Sequence, residues 1–258
     1  MTNSQEFEID ALQSYFGEPF IIHNDNCNDI VINQPTVYDI IKEGEHDVYS
    51  GVYTFAANPT MYRVMLWDMG VDWNKMDDFG LFCFLYKNLD LKSTKLLFGD
   101  LNFQLFKLCV RDEGTESQSF YLYNEPQDVE INSENFTLIS SYIRTMFNVH
   151  PKVEKARGRS TKEWMIEEDR QNMELHKNDS YHSTLLPLIS SCLNHPGFKY
   201  KKNELKEVGI VEFMDSVQRL QIYESTTALL KGMYSGFVDT SKINKDEFNF
   251  MREISLKK

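Results

Sequence analysis

Phe103-Gln104-Leu105-Phe106-Lys107-Leu108-Cys109-Val110, the polar run Arg111-Asp112-Glu113-Gly114-Thr115-Glu116, and Ser119-Phe120-Tyr121-Leu122-Tyr123 form the stretch on which the fold class turns. Its two outer runs are rich in aromatic and branched residues, which predicts a strand, a polar loop and a second strand. Ser133 then opens a helix whose Phe136, Ile139, Tyr142, Ile143 and Met146 recur at spacings of three and four. Strands segregated from helices, with sharp turn signals between them, argue for an α+β fold and against a doubly wound parallel sheet.

Working back from this stretch, Pro19-Phe20-Ile21-Ile22 and Asp29-Ile30-Val31-Ile32 flank the turn-rich segment 23–28 and predict a hairpin. Thr36 is placed to cap a short helix that carries Val37, Ile40 and Ile41 and ends near Gly44. Further helices are predicted from Val48 to Ala57, from Asn58-Pro59 onward, and from Phe79 to Leu89 with Asp77 or Asp78 as cap. The Phe79–Leu89 segment is apolar nearly all round, which marks a central core helix. Forward of position 150, Lys152-Val153-Glu154-Lys155-Ala156-Arg157-Gly158-Arg159 is basic and poor in apolar residues, and reads as a linker or mobile loop over 152–159. Ser160-Thr161-Lys162-Glu163 has the form of a capping box. Apolar stripes at Leu185, Leu188, Ile189, Cys192 and Leu193, and at Ile210, Phe213, Met214, Val217 and Leu220, predict two helices, with a last short one from Asn244 to Ile254 anchored by Phe248 and Met251. The expected organisation is an acidic mixed α+β domain over 1–150, with a small N-terminal sheet and helices, followed by a mostly helical domain over 151–258.

The chain has 258 residues, 41% hydrophobic and 26% charged, with 12 Gly and 7 Pro, which excludes collagen-like, low-complexity and disordered classes. Its net charge of −12 makes it no evident binder of polyanions. That charge is uneven: residues 1–150 hold 9 Lys and Arg against 23 Asp and Glu, and residues 151–258 hold 18 against 16. The four cysteines form no C-x-x-C pair, and Cys83 and Cys109 lie in apolar runs where a thiol acts as a small buried hydrophobe, a usage suited to a reducing cytoplasm. The N-terminus has neither a basic region nor an apolar core, and no window approaches 18 apolar residues, so a soluble intracellular protein is expected.

Motifs for catalysis are weak. Asp78-Phe79-Gly80 matches the metal-binding tripeptide of protein kinases, but no glycine-rich loop, paired lysine or catalytic Asp loop accompanies it, and a helix cap accounts for it. His176, Asp179 and His182 read as a polar turn rather than a zinc site. Asp25, Cys27 and Asp29 lack the glycine and glutamate of a calcium loop. Asp68, Asp72, Asp77 and Asp78 crowd together, and Asp68, Asp72 and Asp78 are the carboxylates a metal-dependent hydrolase would use; carboxylates before a helix also serve its dipole. No catalytic residue, cofactor site or metal site is assigned. The basic residues at 152–162 and 199–202 read as solvated loops, so nucleic acid is not an expected partner.

Several phrases of the chain carry a resemblance: Asp39-Ile40-Ile41 with Gly44-Glu45, Asn58-Pro59-Thr60, Leu66-Trp67-Asp68-Met69-Gly70-Val71-Asp72-Trp73, Asp78-Phe79 with Leu81-Phe82, then 209–220 and Phe248-Asn249-Phe250-Met251-Arg252-Glu253-Ile254. They resemble a protein of the structural and tail-morphogenesis gene blocks of bacteriophages of Gram-positive bacteria, and are most similar to the tail assembly chaperones of long-tailed phages. The resemblance implies a non-enzymatic assembly factor that acts in the host cytoplasm on tape-measure and tail-tube subunits. The length leaves open a structural component of the virion. It implies partner binding at Trp67, Asp68, Asp72, Trp73, Met214 and Arg219, no membrane contact, and compatibility with a homo-oligomer. Met61, Met65, Met214 and Met233 would add an adaptable apolar surface for a helical client.

Overall fold

The computed structural model describes residues 12–115, 118–236 and 239–254. Phe20–Ile22 (β1) and Ile30–Ile32 (β2) form the expected hairpin, antiparallel with Phe20 opposite Ile32 and Ile22 opposite Ile30. Alternation buries these four and leaves Ile21 and Val31 on the outer face. Thr36 caps Val37–Glu43 (α1): its hydroxyl accepts from the Asp39 amide at 3.1 Å while the Asp39 carboxylate accepts from the Thr36 amide at 3.0 Å. Gly44, at φ 112°, turns the chain into Glu45–Ala56 (α2). Arg63–Asp68 (α3) follows. The helix predicted from Asn58 thus opens later, because the Asn58 side chain closes a turn on the Met61 amide instead.

Asp77 caps Asp78–Leu85 (α4) through the Gly80 amide at 2.7 Å, and the regular helix gives way to a 3-10 turn over Tyr86–Asn88. Leu91–Phe98 (α5) has no counterpart in the predicted elements. Its inner face mixes Ser93 and Thr94 with Leu97 and Phe98, so no apolar period marks it. Phe103–Leu105 is a 3-10 turn rather than strand, with Phe103 and Phe106 buried. Lys107–Arg111 (β3), Ser119–Asn124 (β4) and Val129–Ile131 (β5) make an antiparallel sheet in the order β3-β4-β5. Ser133–Phe147 (α6) is capped by Asn132 and ends on Asn148, which takes the left-handed conformation at φ 52°.

The remainder is mostly helical, which completes an α+β fold. Arg159–Leu175 (α7) has Gly158 as its N-cap, two residues before the Ser160 of the predicted capping box; Ser160 falls inside the first turn and Glu163 pairs with Arg159 at 2.8 Å. Leu185–Asn194 (α8) keeps Pro187 in its first turn, where a missing N–H breaks no helical bond. Ile210–Tyr234 (α9) extends well past the Leu220 stripe. The last predicted helix is only a 3-10 turn over Lys245–Phe248, and Met251 stands in solvent. Polar bonds hold that segment: Thr226 Oγ1 and Arg252 Nη1 donate to the Glu247 carbonyl, and Arg219 Nη1 donates to the Arg252 carbonyl.

One large apolar cluster joins β1, β2, α1, α2, α5, the three-stranded sheet and α6 to Leu185, Cys192, Leu205, Ile210, Phe213 and Met214, so it runs across position 151. A second cluster holds Ala57, Leu66, Trp73, Leu81, Leu85, Ala156, Met165 and Ile166. Helix α4 lies between them. It gives Phe79 and Phe82 to the first and Leu81 and Leu85 to the second, which is why it is apolar nearly all round. Burial pushes the Cys83 thiol on this helix up to about 12. Cys83 and Cys109, both expected to be buried, are each only partly so.

Helices α2 and α5 touch backbone to backbone at Gly51, where an added Cβ would lie 2.5 Å from the Ser93 carbonyl oxygen. Backbone cannot yield as a flexible side chain can. Gly51→Ala is expected to destabilise the fold by about 1–2 kcal/mol despite alanine's better helix propensity; a chemical-denaturation midpoint at or above that of the natural chain would contradict this.

Candidate functional site

The sequence-predicted residues Trp67, Asp68, Asp72 and Trp73 come together where α3 meets α7. Trp67 and Trp73 meet edge to face at 6.1 Å between ring centroids. Asp68 pairs with Arg170, and Asp72 accepts from Lys162 Nζ at 2.6 Å. The same ammonium lies 5.4 Å from the centre of the Trp73 ring. Trp73 is 2% exposed and its Nε1 has no hydrogen-bond partner among the described residues. It packs the second cluster and presents no face to a partner. Asp78 lies apart from Asp68 and Asp72 in its bonding, with its carboxylate 2.8 Å from Arg144 Nη2 on α6. Met214, 5% exposed, belongs to the large core, so neither it nor Trp73 contributes the surface expected of it. Arg219 lines a separate groove with Phe198, Tyr223 and Phe250, and its guanidinium faces Asp215 at 3.6 Å. Of the four methionines read as an adaptable surface, Met61 is the well-exposed one.

The segment read as a linker or mobile loop has no regular structure and is fastened to the turns around α3. Asn58 Nδ2 donates to the Lys152 carbonyl at 3.0 Å. Thr60 Oγ1 donates to the Glu154 carbonyl and accepts from its amide. Asn74 does the same with Ala156. Beside it, a groove of about 590 Å³ is lined by Trp67, Val71, Lys75, Arg157 and Lys162. No group of three or more metal-ligating side chains occurs among the described residues.

The ion pairs here carry a pH signature. The Lys162 ammonium, more than any other group, holds the Asp72 carboxyl below its ordinary range; Lys152 first and Arg63 second do so for Glu154. A carboxyl with a depressed folded-state pKa stabilises above its unfolded pKa, about 4, and that contribution is lost as pH falls through the folded value. Lys162→Met is therefore expected to be less stable than the natural chain at pH 7, with the gap closing as pH falls below the ordinary carboxylate range. Urea midpoints across that range read it; a gap that is constant with pH would contradict the assignment.

The most exposed apolar surface near the sheet is one that sequence reasoning missed. Leu108 stands opposite Leu122, and Val110 opposite Phe120, so all four share one face of the β3-β4 hairpin. Leu122 is buried at the base, whereas Leu108, Val110 and Phe120 are 50%, 38% and 51% exposed further out. Strand β3 is one of the two edges of the sheet. Its terminal cations do not guard that edge. The Arg111 guanidinium lies 4.7 Å over the Tyr121 ring on β4 and reaches Glu130 on β5 at 2.8 Å, and Lys107 Nζ sits 3.8 Å from Glu125.

No family model, curated protein or solved structure matches this chain. Among the described residues, no helix is long and apolar enough to cross a membrane.

Proposed function

We propose that this chain is a non-enzymatic bacteriophage assembly factor, a tail assembly chaperone that binds tape-measure or tail-tube subunits, with a structural role in the virion as the variant within the same class. The observation that supports it is the half-exposed apolar face Leu108–Val110–Phe120 on a projecting edge hairpin, the kind of surface that marks protein–protein contact. The phage-like phrases of the sequence supply the identity of the partners. The hydrolase alternative is not favoured, because Asp68, Asp72 and Asp78 each face a different cation, Arg170, Lys162 and Arg144.

The test is co-purification from infected cells and from mature particles. A chaperone is recovered with tape-measure or tail-tube subunits and is absent from particles; a virion component is stoichiometric in them. Recovery with neither overturns the proposal. Phe120→Asp is expected to weaken recovery of the tail subunit roughly tenfold, as loss of an exposed aromatic anchor does, with the melting temperature unchanged.

A further inference from the structure

We infer that β3 pairs with β3 of a second copy of this chain, antiparallel and centred on Cys109, so that two three-stranded sheets join into one. The edge is open: strand residues 107–111 are exposed or half-exposed, and no backbone hydrogen bond outside the β3–β4 ladder reaches them among the described residues. An edge strand presents alternate N–H and C=O groups to a new neighbour. Natural edges are blunted by proline, a bulge or an outward charge. Here the strand Lys107-Leu108-Cys109-Val110-Arg111 contains no proline, and its two cations lean back over their own sheet toward Glu125 and Glu130.

The choice of occupant follows from the strand's own symmetry. Lys107-Leu108-Cys109-Val110-Arg111 reads cation, aliphatic, thiol, aliphatic, cation in either direction. A two-fold interface requires such self-complementarity, because each residue meets its mirror position. With the axis at Cys109, Leu108 stands opposite Val110 of the second copy, and the two apolar faces run on as one. A slip of one residue would set Leu108 against Arg111 and mix the faces. The centred register sets Lys107 opposite Arg111 of the second copy, like charges that their own glutamates offset. Each end of the joined strands brings together Lys107 with its Glu125 and Arg111 of the second copy with its Glu130, a neutral set. Phe120, beside Val110 on β4, then extends one continuous apolar face built from both copies. Dimerisation goes beyond the assembly-factor reading and does not depend on it.

Light scattering on the full chain over a concentration series tests the inference. The 30.3 kDa chain is expected to approach twice that mass by about 100 µM, since so small an interface is weak. Val110→Lys should stay monomeric throughout with an unchanged melting temperature, its side chain lying half-exposed outside both apolar clusters. A short bis-maleimide should link two copies of the natural chain and not of Cys109→Ser, because paired Cα atoms across an antiparallel ladder lie about 4.5–5.5 Å apart. A monomer at about 100 µM, a dimer that survives Val110→Lys, or cross-linking that persists in Cys109→Ser would each overturn the inference. A monomer that still recovers tail subunits would remove the dimer and leave the proposed function standing.

Discussion

Phe82→Ala is expected to lower the free energy of unfolding by about 3–5 kcal/mol, the range for deleting a buried aromatic ring. Phe82 is fully buried on α4. Its ring stacks on Phe136 of α6 at 4.4 Å and 24°, tilts against Phe55 of α2 at 5.3 Å, and meets Phe103 and Tyr86 at 6.4 Å. These neighbours belong to four separate segments and are themselves held by further rings, Phe98 and Phe106 among them. No single side chain can swing into the vacated volume without breaking another ring contact, so the cavity stays largely open and its cost is high. For a chain of this size the melting temperature should fall by roughly 10 °C. Phe84, two residues on and half-exposed, is the control: Phe84→Ala should cost less than about 1 kcal/mol. Equal losses at the two positions in calorimetry would show that the aromatic cluster does not centre on Phe82.

Arg63→Ala has the second large expected effect, about 2–4 kcal/mol. The Arg63 side chain is buried, and each of its three guanidinium nitrogens donates a hydrogen bond. Nε and Nη2 donate to the two oxygens of Asp169 on α7 at 2.5 and 2.6 Å, and Nη1 donates to Glu154 at 2.7 Å. Truncation takes away the cation that Asp169 faces and leaves Glu154 with Lys152 alone; both carboxylates are about a quarter exposed, and this partial access to water keeps the cost below that of a fully buried pair. Arg63→Lys should recover only part of the loss, because an ammonium cannot supply the planar two-pronged fork. Denaturant melts of Arg63→Ala, Asp169→Ala and the double variant measure the coupling; additive losses would mean that the pair does not dock α7. Hydrogen exchange offers a second reading, with amides of α7 losing protection before those of α6.

Elements whose period is unmixed are plain in the sequence. The β1-β2 hairpin, the α6 stripe, the Thr36 cap and the two-cluster helix α4 are legible because each local preference agrees with the final packing. Helix α5 is not, since serine and threonine fill half of its inner face, and β5 is too short to show alternation before Asn132. Gly158 displaces the Ser160 capping box by offering the helix an earlier start. At the site, the 67–73 neighbours are local and visible as a group, whereas their cations Lys162 and Arg170 lie 90 and 102 residues away, a distance over which spacing says nothing. The exposure of Leu108, Val110 and Phe120 is equally hidden. An alternating strand reads the same whether its apolar face is covered or bare.

The fastening of residues 152–156 has a consequence for how this chain can vary. Asn58, Thr60 and Asn74 take hold of Lys152, Glu154 and Ala156, every second residue, much as an adjoining strand would; here side chains do the reading and main chain is what they read. Any residue at 152 presents the same carbonyl, so this fastening by itself sets no requirement on the identity of that residue. The three polar side chains have no such latitude, because aspartate or valine in their places cannot both donate and accept. The conserved information for this extended segment would therefore be written about ninety residues upstream of it, in three small polar side chains.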